Sequence, residues 1–379
     1  MIGDARDGSA SASERRVHLR FEDGAARDIE VAPGELILDA ALRQHVPLIH
    51  QCRSGSCGTC VARLVDGTVE MLRDRALSLM PYEIAEGRRL TCSARALSDS
   101  TLALDYPGTL IFGGDPHKAP HRSTLAATVR TIEWPVESIA RLVLELDRDS
   151  EFSFHSGQYA RLRIPGTDQW RSYSMATTAR DLPAMEFFVR FIAGGAMSEY
   201  LRTRARLGDT IEIEGPLGAF ILRPGAAPHI FVAGGTGLAP ILSIIDAIRR
   251  QPGRRPPILL CFGSGGEATL FARDELELRQ WWMPSLEVRL SAGRVDSPSS
   301  GILKGTPIDA LREDDAHDPA SAAYVCGPPG MIEAARRRLA AIGVAPERIY
   351  VEQFRPSIIG DPAIAYASTE RSIGVKVER

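Results

Sequence analysis

No stretch of this 379-residue sequence is both long and apolar enough to suggest a membrane-spanning helix. The longest apolar run, Ile230 to Ile245, is broken by Gly234, Gly235, Gly237 and Pro240, and reads instead as a buried strand, a loop and a helix start. An apolar leader core is also lacking. Residues 1–16 (MIGDARDGSASASERR) are polar and charged, which predicts a disordered N-terminus and a cytoplasmic protein. Charge of one sign is scarce: the net charge of -3 gives no global field for nucleic acid or an anionic membrane, so neither is expected as a partner. Cysteine is scarce too, six in all, yet three of them crowd into residues 52–60. Without an export signal, that crowding argues against disulfides and for a metal site.

The apolar share, 44%, with 25% charged residues, is that of a globular chain with several cores, and the length calls for two or three domains. Val17–Phe21 and Ile29–Val31 read as strands and Glu35–His45 as a helix, followed by the cysteine loop and a strand Val61–Leu64. This α+β unit closes near Tyr106, giving a first domain over 17–106. Residues 107–122, rich in Gly, Pro and His, read as a linker. Short β-like runs then recur at Ala126–Ile132, Ala140–Leu146, Tyr159–Ile164, Met185–Phe191 and Thr210–Glu214, which predicts an antiparallel β-barrel over 123–224. From His229 the rhythm becomes apolar run, glycine loop, helix pattern. Ile230–Ala233, Ile258–Phe262, Leu286–Leu290, Ala323–Cys326 and Ile349–Val351 predict an α/β doubly wound parallel sheet over 225–354. Residues 355–379 are left as an extension, with Ala363–Val377 suggesting a β-hairpin or the remnant of a second unit like the first.

Cys52, Cys57 and Cys60 form C-x4-C-x2-C, and Cys92 follows within LTCSA. Four thiolates at this spacing are the plant-type pattern for a 2Fe-2S cluster. Gly55 and Gly58 let the backbone curl, and the small Ser54, Ser56 and Thr59 let amides approach the sulfurs. Structural zinc prefers two C-x2-C knuckles, and only one is present. Residues 17–106, with CRSGSCGTC, resemble a plant-type ferredoxin domain of β-grasp fold.

In the second domain, Arg171, Ser172, Tyr173 and Ser174 follow a strand, with Gly157-Gln158-Tyr159 upstream. Arg171 can pair with phosphate oxygens, Tyr173 can lie against an isoalloxazine or ribityl group, and Ser174 offers a hydroxyl near the flavin ring. Gly194, Gly195 and Ser198 open a helix pattern, a natural anion site, and Gly215-Pro216-Leu217-Gly218 follows. The set resembles the ferredoxin–NADP reductase superfamily. FAD over FMN rests on that resemblance alone.

In the third domain, Gly234, Gly235, Thr236, Gly237 and Pro240 lie between a predicted strand and helix, as a pyrophosphate requires. Cys326, Gly327 and Pro328 begin CGPPGM at the end of a later strand. GGTGLAP with CGPPGM resembles the same superfamily, which implies that Cys326 lies near hydride transfer. It also matches Glu352 and Phe354 to a terminal acid and aromatic, and makes Ser174, Cys326 and Glu352 the candidate catalytic residues. NADP-using relatives carry Ser-Arg where this chain has Ser291-Ala292, and Glu267 could accept a hydrogen bond from a free ribose 2′-OH. NADH is therefore expected over NADPH, although Arg273 and Arg294 lie near in sequence.

Cluster, FAD and NADH in this order resemble the reductase components of benzoate dioxygenase, methane monooxygenase and phenol hydroxylase. The resemblance implies an electron-transfer reductase whose acceptor is a Rieske or diiron oxygenase. Two alternatives stand beside it: a reductase serving a deoxysugar dehydratase, and a non-catalytic flavin and iron–sulfur subunit.

Overall fold

The computed structural model describes residues 14–55, 57–72, 78–112, 123–225, 227–296 and 300–354. Three sheets of five or six strands, with a small two-stranded one, organise the chain. The first comes from β1 (Arg15–Arg20), β2 (Ala26–Val31), β3 (Val61–Asp66), β5 (Arg88–Leu90) and β7 (Ser100–Ala103), in the order β2-β1-β7-β3-β5. A separate pair, β4 (Val69–Met71) and β6 (Ala94–Ala96), lies beside it. Val17 and Leu19 alternate inward on β1, and α1 (Ile37–Arg43) buries Ile37, Leu38, Ala40 and Ala41 against the same core. A short α2 (Pro81–Ala85) precedes β5. This is the α+β unit expected, with β1 running parallel to β7. Two boundaries differ from the sequence reading. Strand β1 starts at Arg15, inside the segment expected to be disordered. The expected linker begins as α3 (Thr109–Phe112), which buries Leu110 and Ile111 in the first core. The Asp23 carboxylate anchors that helix by accepting the Gly108 and Thr109 amides at 2.9 and 3.1 Å.

The second unit is a six-stranded antiparallel sheet of β8 (Ser123–Val136), β9 (Ile139–Leu146), β10 (Tyr159–Arg163), β11 (Trp170–Ser174), β12 (Ala184–Arg190) and β13 (Thr210–Leu217). Its edge strands close into a barrel through a bridge from Met175 to Phe187. The core alternates along β9, where Leu142, Leu144 and Leu146 point inward. The Arg171–Ser174 motif, expected just after a strand, is itself on one. WRSYS is too polar to announce an edge strand, and its ladder to β10 decides the matter. A short α4 (Ala196–Glu199) follows Gly195.

The third unit is a parallel sheet in the order β17-β16-β15-β14-β18-β19. Its strands are β14 (His229–Gly234), β15 (Ile258–Ser264), β16 (Leu286–Ala292), β17 (Leu303–Lys304), β18 (Ala322–Gly327) and β19 (Ile349–Gln353). Helices α5 (Leu238–Arg249), α6 (Arg273–Trp282) and α7 (Pro329–Ala341) supply the crossovers. From β14 the chain winds outward to β17, then returns to place β18 on the other side of β14. The strand order therefore reverses between β14 and β18, and ligands of such sheets bind beyond the strand ends at this point. The expected C-terminal hairpin, 363–377, lies outside the described residues. Among the described residues no helix is long and apolar enough to cross a membrane.

Candidate active site and cluster loop

The cysteine loop turns through three left-handed residues, Arg53, Gly55 and Gly58, at φ 55°, 77° and 77°. That path points amides inward. Cys52 Sγ accepts N–H groups from Ser54 and Cys57, each at 3.4 Å. The four thiols stand as two contacting pairs, Cys52 with Cys57 and Cys60 with Cys92. Among the described residues no group of three or more ligating side chains surrounds one point. Two thiol pairs suit two irons with two thiolates each, and not a single tetrahedral zinc. The neighbouring thiol and then burial push Cys57 and Cys60 up; bound iron would hold both as thiolates. Cys60 and Cys92 are buried, whereas Cys52 and Cys57 are half-buried.

The half-buried pair faces the barrel. Tyr159, 5% exposed on β10, donates its hydroxyl proton to Gln51 Oε1 at 2.7 Å and stands 3.4 Å from Thr59 Oγ1. Gln51 Nε2 donates to Ser172 Oγ at 2.8 Å. Ser172, expected to hold a flavin, is thus exposed on β11 and engaged with the cluster loop. Ser174 pairs across the ladder with Tyr159 and is buried. Arg171 is braced by the Trp170 carbonyl and the Gln169 amide oxygen, both at 2.9 Å, a fixed cation on the edge strand. Tyr173 is half-buried against the barrel core, and burial raises its phenol. Ser198 Oγ accepts the Ile192 amide at 2.9 Å and keeps its own proton to donate. Gly194 is left-handed at φ 71°, with open space where a Cβ would stand. A braced cation, a hydroxyl and an open glycine turn at a helix start fit a flavin diphosphate.

Both nucleotide motifs sit at the point where the sheet order reverses. Gly234, Gly235, Thr236, Gly237 and Pro240 lead from β14 into α5, and Cys326, Gly327 and Pro328 lead from β18 into α7. They pack tightly: a Cβ on Gly237 would stand 2.3 Å from the Cys326 carbonyl oxygen, and one on Gly234 would stand 2.6 Å from Met331 Sδ. Cys326 is fully buried, and burial first, then the Glu352 charge, pushes its thiol well up, so it stands neutral. Glu352 pairs with Cys326 across β18 and β19. Its Oε2 lies 3.7 Å from where a Gly218 Cβ would be, and the same Cβ would be 2.8 Å from the Tyr159 ring. Cys326, Glu352, Gly218, Tyr159 and Thr59 are thus neighbours in turn, from the third domain past the barrel to the cluster loop. Phe354 donates its amide to Gly327 at 3.0 Å and packs on the third core.

Burial pushes the Glu352 carboxyl up to about 8 from its ordinary 4.5, so it is mostly protonated at neutral pH. The folded protein then binds this proton more tightly than the unfolded chain. The group's contribution to stability is full below about 4.5 and is lost as pH rises to about 8. Melting temperatures of the wild type and Glu352→Gln should diverge across that window, the wild type losing more as pH rises. Parallel profiles would mean that the carboxyl ionises as an ordinary surface acid.

At the ribose end the turns after β15 and β16 meet, the Glu267 amide donating to the Arg294 carbonyl at 2.9 Å. Ser291 and Ala292 are fully buried, and the Ser291 hydroxyl turns inward to the Phe262 carbonyl at 3.4 Å. Glu267 Oε2 accepts the Asp296 amide at 3.0 Å. The nearby cation is Arg294, paired with Asp296 at 3.6 Å with its side chain 78% exposed.

Three domain families match the chain: a 2Fe-2S iron-sulfur cluster binding domain over 20–97, an oxidoreductase FAD-binding domain over 127–221, and an oxidoreductase NAD-binding domain over 231–337. Fold and site together define an NADH-dependent iron–sulfur flavoprotein oxidoreductase with FAD and a 2Fe-2S cluster. The anthranilate 1,2-dioxygenase electron transfer component of Acinetobacter baylyi is 34% identical over 342 residues, covering 90% of this chain and 97% of that protein. The propane 2-monooxygenase reductase component of Mycolicibacterium smegmatis is 32% identical, covering 87% and 95%. Among solved structures, the Amycolatopsis cytochrome P450 reductase GcoB is similar, with a TM-score of 0.64, 29% identity and coverage of 90% and 99%. The chain belongs to this family of reductase, or electron transfer, components within the ferredoxin–NADP reductase superfamily.

Proposed function

We propose that this protein oxidises NADH and delivers single electrons from its cluster to the oxygen-activating metal component of an oxygenase, of Rieske or diiron type, in the cytoplasm. The observation that supports the reading is the succession of neighbours from Cys326 to Thr59, which runs from the proposed nicotinamide site past the proposed flavin site to the cluster loop. When bound, FAD accepts the hydride and releases its electrons one at a time. The chain's own part is positional. The reversal point orients the nicotinamide beside Cys326, Arg171 and the Gly194–Ser198 turn hold the flavin diphosphate, and neutral Glu352 keeps a proton at the flavin edge. Relatives named for a dioxygenase and for a monooxygenase support an oxygenase acceptor, and the P450 reductase adds haem as a third acceptor chemistry. Anaerobic mixing with NADH and a purified candidate oxygenase tests the proposal. Reduction of its metal centre should require this protein, and none in any of the three oxygenase types would sink it.

The acids Glu267 and Asp296 flank Arg294 and leave the ribose end without net positive charge. NADH should exceed NADPH in kcat/KM by about tenfold, or about 1.4 kcal/mol. Steady-state kinetics with both nucleotides check this; equal efficiencies would show that Arg294 reaches a 2′-phosphate despite its acidic neighbours.

A further inference from the structure

Two stiff arms, one in the barrel and one in the third domain, are fastened to each other far from the glycine motif. The barrel arm starts at Arg171–Ser174, laddered to β10. It continues through Met175 and Ala176, whose amides donate to the Gln158 and Glu186 carbonyls at 3.2 and 2.8 Å. It ends in the turn Thr177–Asp181, where the Asp181 carboxylate accepts the Thr178 amide and hydroxyl, each at 2.9 Å. The other arm is α5, about 18 Å long, which the Gly234–Pro240 motif opens. Midway, a Cβ on Gly157 would stand 3.0 Å from Ile244 Cδ1, and Ser243 Oγ donates to the Thr177 carbonyl at 2.5 Å. At the far end Arg250 grips Asp181 with both nitrogens of its fork, Nη1 to Oδ2 at 3.0 Å and Nη2 to Oδ1 at 2.6 Å. Its Nη1 also donates to the Thr178 hydroxyl oxygen.

We propose that Asp181 and Arg250 are positioning residues for hydride transfer, whose bridge fixes α5 against the barrel and so sets the separation of nicotinamide and flavin. The inference rests on the flavin and nicotinamide positions proposed above. Ile241, Ile244 and Ile245 of α5 share one core with Ala176, Phe188 and Phe220 of the barrel. That burial holds the two units together but has no direction, so it tolerates a small slide of the helix along its axis. A bidentate fork has a fixed geometry and resists the slide. Both side chains of the bridge are largely buried, 25% and 29% exposed, so water replaces it poorly. Backbone hydrogen bonds tie each turn of α5 to the next, so a shift at Arg250 travels to Gly237. Gly237 is where α5 meets the Cys326 carbonyl, and the slack reappears there as a wider hydride gap.

Stopped-flow mixing of the loaded protein with NADH separates binding from chemistry. Asp181→Asn keeps an oxygen for the Thr178 amide and loses the charge, while Arg250→Gln removes the fork. In each, the limiting rate of flavin bleaching should fall about tenfold, part of the roughly hundredfold that a full 1 Å displacement costs. The NADH dissociation constant should stay within about twofold, since ground-state binding is spared. The long-wavelength charge-transfer absorbance of nicotinamide stacked on flavin reads the ring separation without turnover, and it should weaken in step. The double variant should be no slower than the slower single one, because both lose the same bridge. An unchanged limiting rate in Asp181→Asn overturns the proposal, as do losses that multiply in the double variant. So does a fall in rate matched by an equal loss of NADH affinity, which would mean that the pyrophosphate loop itself is deformed. Failure of NADH to bleach the wild-type flavin would instead overturn the site positions on which the inference rests.

Discussion

Replacing Cys57 with serine is expected to remove more than about a hundredfold of the NADH-driven reduction of cytochrome c, while NADH-driven reduction of a small two-electron dye largely persists. Loss of groups that merely orient a metal ligand costs about 10- to 100-fold, and Cys57 is itself a ligand of the expected cluster. Its loop is the one that meets the barrel, through Thr59 and Tyr159, so the variant strikes the side of the cluster site nearest the flavin domain. The residues proposed to hold the flavin and the nicotinamide, Arg171, the Gly194–Ser198 turn and the two glycine motifs, lie in other domains. Measuring both acceptors on a preparation that retains FAD separates the two legs. Parallel loss of dye reduction would mean that the cluster loop also supports the flavin site.

The second large effect belongs to Gly237→Ala. The added methyl would stand 2.3 Å from the Cys326 carbonyl oxygen and 2.7 Å from its carbonyl carbon, and both are backbone atoms of a buried strand. Neither can rotate away, so the start of α5 and the end of β18 must separate. Those are the two motifs that meet where the strand order reverses, and the proposed nicotinamide position lies between them. A displacement of about 1 Å there costs roughly a hundredfold in hydride transfer. Stopped-flow bleaching of the flavin by NADH reads this directly as the limiting rate. An unchanged limiting rate would show that the motifs can part without moving the hydride donor.

The parts of this geometry that were legible in the sequence share a physical reason. Cys52, Cys57, Cys60 and Cys92 are read from spacing because the ligand loop is local, with only Cys92 distant. Strands β14, β15 and β18 are buried nearly throughout, so they announce themselves as apolar runs. By contrast β5, RRL, and β11, WRSYS, are short and polar, and only their ladder partners make them strands. The burial of Ser291 and Ala292 was hidden for a related reason, since a small polar residue at a strand end reads the same facing a ligand or facing Phe262. Tyr159 stood beside a recognised motif, but its contacts with Gln51 and Thr59 span about a hundred residues. No periodicity reports such a meeting.

One junction bears on how such proteins can be recombined. Arg223, 8% exposed, lies between the barrel and the third sheet. Its Nε donates to the Glu22 carboxylate at 2.8 Å and its Nη2 to the Asp105 carbonyl at 2.8 Å, both in the first domain. Tyr350 of β19 donates its hydroxyl to Glu22 at 3.0 Å and lays its ring 4.4 Å from the guanidinium, while the Tyr324 oxygen accepts the Arg223 amide at 2.9 Å. Three domains thus close on one buried cation. A chimera that grafts a foreign ferredoxin module at the 113–122 boundary, without an acid at position 22, would leave that guanidinium only the Ala219 and Ile221 carbonyls of its own domain. The segments that look like interchangeable cartridges in the sequence are heritable only together with the acid that each presents to its neighbours.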